Sequence, residues 1–208
     1  MIDRNSKLYQ IFKEDVTNLI EKRDAKEITG RLSIADEETR FEMVKVEPRC
    51  LKYFEKEYFT DEIKEYISKN LDWGLREMID RVGEDNLSKE VIKGCLKNSP
   101  LQIGCLSNPT DDLIKYAFHR HKKILESHNA RQSDLDFGLV RMLHGLYNGK
   151  ENYILSDSIV EFLISEYKDS KNAIKYILRH ANLSQLDKLP DELKLYIELQ
   201  TNMDGNSE

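Results

Sequence analysis

A short motif recurs through the middle of the chain and constrains its fold more than any other feature. In three places a Ser or Thr stands three residues before an aliphatic residue, and an acid directly precedes that aliphatic residue. The copies are Thr60-Asp61-Glu62-Ile63, Ser88-Lys89-Glu90-Val91 and Thr110-Asp111-Asp112-Leu113. The hydroxyl suits a helix N-cap, where it accepts a hydrogen bond from an orphan backbone N–H, and the acid complements the positive end of the helix dipole. Each copy therefore predicts the start of an amphipathic helix.

Two weaker copies continue the series, with Leu135 after Asp134 and Ile159 three residues after Ser156. Successive aliphatic anchors are then 28, 22, 22 and 24 residues apart. A period in this range is typical of stacked helical units. In the second copy Pro100 suits the first turn of a new helix better than the interior of a continuous one. We therefore expect two short helices in each unit, and a single uninterrupted helix is the alternative for the other copies.

The composition supports an all-α fold of about eight to ten short helices. Only four prolines and nine glycines interrupt 208 residues, and Glu, Lys, Leu and Ile are abundant. A small α-solenoid with irregular helical repeats and an irregular helical bundle both fit this pattern. We expect a single domain over residues 1–200, with an N-terminal helix over 6–23, a connector over 24–36, helical repeats over 36–180, a C-terminal helix over 187–199 and a disordered tail over 201–208.

The segment from Thr60 to His128 resembles the short α-helical repeats of HEAT-like solenoids, and the resemblance extends over about residues 36–180. It is also similar to helical repeats of unknown function in bacterial and phage proteins. The resemblance implies a scaffold that presents a binding surface and that rarely carries chemistry.

Several classes of protein are disfavoured by the charge and by the cysteines. The formal net charge of −6 argues against a histone-like protein, and the 32 Lys and Arg argue against a full DNA mimic. The N-terminus shows no signal peptide, and no apolar run is long enough to span a bilayer, so we expect a cytoplasmic protein without membrane contact. Cys50, Cys95 and Cys105 have no C-x-x-C spacing. The spacing therefore argues against a disulfide framework and against a zinc finger, and we expect the thiols to be buried.

The most concentrated basic segment is Phe118-His119-Arg120-His121-Lys122-Lys123. Residues 115–131 contain five Lys or Arg and one acid, a net charge of +4 without the histidines. In the repeat register this segment matches the stretches that begin at Lys69 and Lys97, and we interpret all three as inter-helix turns on one edge. The basic rim would bind an acidic protein surface or a phosphate backbone, unless it is a solvated turn without function. It consists of Lys69, Lys97, His119, Arg120, His121, Lys122 and Lys123.

Catalysis and metal binding have little support in the sequence. His119 and His121 are two residues apart, and His121 and His128 are seven apart, so neither pair has the i, i+4 spacing of a helical metal site. No phosphate-binding glycine loop is present. We expect no catalytic residue, metal ligand or cofactor. An enzyme of unknown reaction is an alternative, and phosphodiester cleavage by His119 or His121 with Lys122 would be its most reasonable form.

Three further features have both a structural and a functional interpretation. Trp73 is interpreted as a core residue, with an exposed binding anchor as the alternative, and His128 is interpreted as a partly buried imidazole. Residues 148–153 form the most loop-like stretch within the chain, and scaffolded loops often carry recognition. The candidate binding residues of this loop are Asn148, Lys150 and Tyr153.

The charges are not spread evenly along the chain. Residues 36–66 contain ten acids and six bases, a net charge of −4, opposite in sign to residues 115–131. The leading functional prediction is a non-enzymatic module that binds a partner protein as an adaptor, regulator or inhibitor, and its size is compatible with a phage- or plasmid-encoded inhibitor. A nucleic-acid-associated protein that uses the basic rim is the second hypothesis. The sequence does not determine the oligomeric state.

Overall fold

The computed structural model describes residues 7–148 and 154–202, and every regular element in that part of the chain is a helix. The chain forms two compact units, residues 1–98 and residues 99–208. The first unit contains α1 (Lys7–Lys22), α2 (Ala25–Ile34), α3 (Glu37–Val46), α4 (Asp61–Asn70), α5 (Gly74–Val82) and α6 (Lys89–Asn98), with 3₁₀ segments at Pro48–Tyr53, Lys56–Tyr58 and Glu84–Asn86. The second contains a 3₁₀ segment at Pro100–Cys105, then α7 (Asp111–Ser127), α8 (Gln132–Tyr147), α9 (Asp157–Glu166), α10 (Lys171–His180), α11 (Leu183–Asp187) and α12 (Asp191–Asn202).

The all-α prediction is confirmed, and the described residues contain twelve α-helices where the sequence predicted about eight to ten helices. Part of the difference lies in residues 24–36, which we interpreted as a connector and which instead contain α2. Asp24 accepts a hydrogen bond from the backbone N–H of Glu27 at 3.0 Å, and Ile28 and Leu32 are fully buried on one side of the helix. The connector interpretation was therefore wrong, because Gly30 does not interrupt this helix.

The recurring motif predicts helix starts correctly. Thr60, Ser88 and Ser156 each accept a hydrogen bond from the backbone N–H three residues later, at 3.2–3.4 Å. Thr110 occupies the N-cap of α7 without such a bond. At the start of α8, Asp134 instead accepts from the backbone N–H of Arg131 at 3.0 Å.

In the first unit, α4 and α6 lie side by side and run in the same direction. Asn98, the last residue of α6, donates a hydrogen bond from Nδ2 to the backbone oxygen of Ser68, one turn from the end of α4, at 2.9 Å. Gly94 faces Ser68 so closely that a Cβ at Gly94 would lie 2.8 Å from the serine Oγ. The buried residues Ile63, Ile67 and Leu75 fill the core beneath this pair.

In the second unit, α7 and α8 form a helical hairpin. His121 and Leu125 of α7 pack against Gly138 of α8. Asp111, at the start of α7, contacts Ser156 and Ser158 at the start of α9, and Lys122, further along α7, reaches the end of α9. Helices α7 and α9 are therefore parallel. Helix α10 packs on α8, where the rings of Tyr147 and His180 stack with centroids 4.6 Å apart.

The expected two-helix organisation holds for some repeat copies and fails for others. The first copy divides into α4 and α5, and the second divides into α6 and a 3₁₀ segment that begins at Pro100. Helices α7 and α8 are each uninterrupted, which agrees with the alternative of a single helix for those copies. The all-helical architecture is compatible with a helical repeat or with a bundle.

The predicted terminal helices are present. Helix α1 matches the helix expected over 6–23, except that residue 6 lies outside the described residues, and α12 begins within the range predicted for the last helix. Residues 201 and 202 end α12, while residues 203–208 of the expected disordered tail lie outside the described residues. That both units behave as one domain stays a prediction. None of the described helices has the length and apolar character needed to cross a bilayer.

Candidate functional site

The seven residues of the predicted basic rim lie in both units. In the first unit, Lys69 and Lys97 are exposed in the last turns of α4 and α6. Both line one groove of about 530 Å³ between these two helices. The structure therefore brings these two rim lysines to the same groove, as their equivalent repeat positions predict.

The other five rim residues do not form an inter-helix turn. His119, Arg120, His121, Lys122 and Lys123 lie within α7, so the turn interpretation of this segment was wrong. The physical reason is that Leu113, Ile114, Ala117 and Phe118 keep a buried helical stripe up to the segment, and no Gly or Pro interrupts it. A continuous helix distributes the five side chains over different sides of α7.

Two of the five residues face the end of α9. His119 Nδ1 lies 3.1 Å from a carboxylate oxygen of Glu166, and Lys122 Nζ donates to the backbone carbonyl of Glu166. Lys122 also lies 3.6 Å from the Glu166 carboxylate and 5.3 Å from the centre of the Tyr167 ring. A lysine that bonds a terminal carbonyl and complements the negative end of a helix dipole stabilises that helix end. Lys122 thus has a clear structural role in joining α7 to α9.

Arg120, His121 and Lys123 lie away from that contact. His121 is half-buried at the α7–α8 junction, next to Gly138, and Arg120 and Lys123 are one helical turn apart. Burial, assisted by the charge of Arg141, lowers the pKa of His121 below its usual value. His121 is therefore a largely neutral contact between the two helices, with Arg141 of α8 close beside it.

Helix α8 adds an exposed aromatic residue to this side of the second unit. The side chain of Phe137 is 67% exposed, although α8 buries Leu139, Leu143 and Leu146 on its opposite face. Arg141 is exposed one turn further along the same face of the helix. Phe137, Arg141 and His121 together define what we call the α7–α8 face.

The α7–α8 face is cationic in a chain whose overall charge is −6. It carries the charge of Arg141, and Arg120 and Lys123 are further cations of α7. Of the acids on α8, Asp134 lies 3.5 Å from the Nε of Arg131, and Asp136, directly before Phe137, accepts a hydrogen bond from Gln132 at 2.9 Å. A rigid helix thus presents an exposed aromatic ring beside an exposed arginine, and both residue types are enriched in protein interfaces.

Phe137 and Arg141 were not among the residues singled out from the sequence. A signal was present, because the apolar stripe of α8 runs through Leu135, Leu139, Met142 and Leu146, and Phe137 does not lie on it. A large aromatic residue outside the stripe of an amphipathic helix predicts surface exposure.

The predictions for the loop at residues 148–153, for Trp73 and for His128 have different outcomes. Asn148 is exposed at the C-cap of α8, and Lys150 and Tyr153 lie outside the described residues. Trp73 is half-buried at the N-cap of α5. The interpretation of His128 as a partly buried imidazole was wrong. His128 is exposed at the end of α7, where its Nδ1 lies 2.7 Å from the carbonyl oxygen of Ile124.

The thiols are poorly suited to nucleophilic chemistry. Cys50 and Cys95 are fully buried, as predicted, and Cys105 is half-buried. Burial raises the pKa of the Cys95 thiol to about 12 and raises that of Cys50 further still. Both therefore stay protonated at neutral pH, whereas the thiolate is the reactive form. Within the described residues, no cluster of three or more His, Cys, Asp or Glu side chains is arranged to hold a metal ion.

Comparison with known proteins gives no relative: no protein-family model, no curated protein and no solved structure matches this chain.

Proposed function

We propose that the chain is a non-enzymatic protein-interaction module and that its α7–α8 face binds the partner. The observation that carries the proposal is the 67% exposure of Phe137 on a regular helix, with Arg141 one turn away. An aromatic ring on a rigid helix loses little conformational freedom on binding, so its burial in a partner's pocket is favourable. Arginine next to an aromatic anchor is a frequent feature of binding hot spots.

The charge of the α7–α8 face indicates the partner's chemistry. Arg141 favours a partner surface with an acidic group beside an apolar pocket for Phe137. Such complementarity raises the association rate and selects the orientation of the complex. A cytoplasmic adaptor, regulator or inhibitor would act in this way, by covering the surface of another protein.

The resemblance to HEAT-like repeats supports the same function. The parallel neighbours α4 and α6, and likewise α7 and α9, are the kind of pairing that stacked helical repeats contain. Repeat proteins of this kind present extended surfaces to their partners. We therefore extend the proposal to a scaffold of short helical repeats.

A nucleic-acid partner is the second candidate, because residues 115–131 have a net charge of +4. It has less support, since Lys122 from the middle of the basic segment is bound to the end of α9. Nucleic-acid binding would also show a steep loss of affinity with salt.

The proposal is tested by affinity capture from native-host lysate, with and without nuclease, using the wild type, Phe137→Ala and Arg141→Glu. Leu195→Ala is the matched control, because Leu195 is 58% exposed on α12 of the same unit. We expect one protein that is retained in stoichiometric amount by the wild type and by the control in both nuclease conditions. Phe137→Ala and Arg141→Glu should each reduce its recovery by about tenfold or more, the loss typical of a hot-spot residue.

Two outcomes would contradict the proposal. Equal recovery with all four proteins would show that the partner binds elsewhere. Recovery that disappears with nuclease would favour the nucleic-acid candidate. Far-UV circular dichroism of each variant verifies that the helices are intact.

A further inference from the structure

The groove between α4 and α6 has a charge pattern that is independent of the α7–α8 face. The two helices are parallel, so their N-terminal turns lie at one end of the groove and their C-terminal turns at the other. Ser68 and Gly94 form its narrow floor, where the helices are closest, and the half-buried Val91 adds an apolar contact. Its volume is about 530 Å³.

The charges along this groove are separated by sign. Asp61 and Glu90 line it in the first turns of the helices, Lys69 and Lys97 line it in the last turns, and Glu65, in the middle of α4, pairs with Lys69. Asp61 and Lys69 are eight residues apart, which corresponds to about 12 Å along α4. The separation follows from the sequence, because acids at helix starts and bases at helix ends both complement the helix dipole.

A groove with an acidic end and a basic end is complementary to its own copy turned by 180°. A two-fold axis perpendicular to α4 and α6 places the lysines of one copy against the acids of the other, and the reverse contact forms at the same time. Two-fold interfaces of this self-complementary kind are the commonest in soluble oligomers. We infer that this groove is the docking surface for a second copy of the chain, which binds antiparallel through its own α4 and α6.

Existing ion pairs in the groove do not prevent this contact. Lys69 pairs with Glu65, but their side chains are 65% and 62% exposed, and Asp61, which pairs with Lys64 at 3.2 Å, is fully exposed. An exposed pair of this kind contributes little to stability, so its members exchange readily for partners on a second copy. The interface is therefore expected to be polar and to weaken as salt rises.

The test uses two charge-reversal variants of the full chain. Lys69→Glu with Lys97→Glu makes both ends of the groove acidic, and Glu65→Lys with Glu90→Lys makes the groove predominantly basic. Lys13→Glu with Lys26→Glu is the control, because these exposed lysines of α1 and α2 lie outside the groove and change the charge by the same amount as the first variant. Sedimentation equilibrium measures self-association of each protein and of the equimolar mixture of the two groove variants.

We expect the wild type and the control to dimerise with the same dissociation constant, which rises with salt. Each groove variant alone should dimerise at least about tenfold more weakly, because like charges then face each other. The mixture should restore a dimer, since the lysines of the basic variant again face carboxylates of the acidic variant, although Asp61 of the basic variant keeps its negative charge.

Three results would overturn the inference. The wild type could remain monomeric up to its highest soluble concentration. The two groove variants could dimerise as tightly as the wild type. The mixture could fail to pair although each variant is folded by circular dichroism, which would exclude the two-fold arrangement. None of these results concerns Phe137, so the proposed function is tested separately.

Discussion

At the scale of single residues, glycines determine how closely the helices of the second unit approach. Gly104, in the 3₁₀ segment, lies directly against the backbone of Gly145 in α8. A Cβ at Gly104 would lie 2.8 Å from the Gly145 carbonyl oxygen and 2.9 Å from its carbonyl carbon. These are backbone atoms of a packed helix, so they cannot move aside as a flexible side chain can. A Cβ at Gly145 would lie 3.8 Å from the Cα of Gly104, which is ordinary van der Waals contact.

We predict that Gly104→Ala and Gly145→Ala have opposite effects on stability. Gly104→Ala should lower the free energy of unfolding by about 1–3 kcal/mol, because the added methyl group overpacks the contact. Gly145→Ala should leave it unchanged or raise it by up to about 1 kcal/mol, because alanine is the better helix residue. Urea unfolding followed by far-UV circular dichroism measures both. Equal destabilisation by the two substitutions would contradict the asymmetry of this contact.

The candidate site shows which residue properties the sequence reveals. The basic character of residues 119–123 is visible in the sequence, but their division between two sides of α7 is not, because it depends on where α8 and α9 pack. Lys122 illustrates this, since its bond to the end of α9 joins residues 44 positions apart. Phe137 could have been identified, because it lies outside the apolar stripe of its own helix.

At the scale of elements, helix starts are more predictable than helix lengths. An N-cap is a local signal, because the side chain bonds a backbone group only a few residues away. The continuation of a helix depends instead on tertiary burial, which overrides local propensity. This explains why α2 persists through Gly30 and why α7 continues through the basic segment that was interpreted as a turn.

One carboxylate joins the starts of two helices in the second unit. Asp111, the first residue of α7, accepts hydrogen bonds from the hydroxyls of Ser156, at 2.6 Å, and Ser158, at the start of α9. Burial raises the pKa of Asp111, but the two hydroxyl bonds and the nearby charge of Lys115 outweigh it, so the pKa lies below its usual value. The charged form is therefore the one that the fold stabilises.

We predict that the free energy of unfolding of the wild type falls on acidification, and that it falls less in Asp111→Ala. Because the pKa of Asp111 is lower in the folded chain than in the unfolded chain, its contribution is complete above a pH of about 4 and is lost as the pH falls through the folded value. At neutral pH, Asp111→Ala should lower the free energy of unfolding by about 1–2 kcal/mol through loss of the two hydroxyl bonds. Urea unfolding at a series of pH values should show that the variant loses less stability than the wild type on acidification. Parallel pH profiles would contradict this role for Asp111.

At the scale of the whole molecule, the chain divides between Asn98 and Ser99 into two compact units. The sequence did not predict this division, because the capped helical motif recurs on both sides of it and no flexible linker marks the boundary. Each unit has its own buried residues, such as Ile63 and Leu75 in the first and Phe118 and Leu143 in the second. A compact unit with its own core meets the main physical condition for folding alone.

We predict that the two proposed binding surfaces separate with the two units. A fragment of residues 99–208 contains the complete α7–α8 face, so it should capture the same partner as the full chain and lose it on Phe137→Ala. A fragment of residues 1–98 contains both walls of the α4–α6 groove, so it should dimerise with the salt dependence of the full chain and capture no partner. Cooperative thermal unfolding by circular dichroism first shows that each fragment is folded, and affinity capture and sedimentation equilibrium then assign the activities. A folded 99–208 fragment that fails to capture the partner would mean that the first unit contributes to the binding surface, because the α7–α8 face alone would then be insufficient.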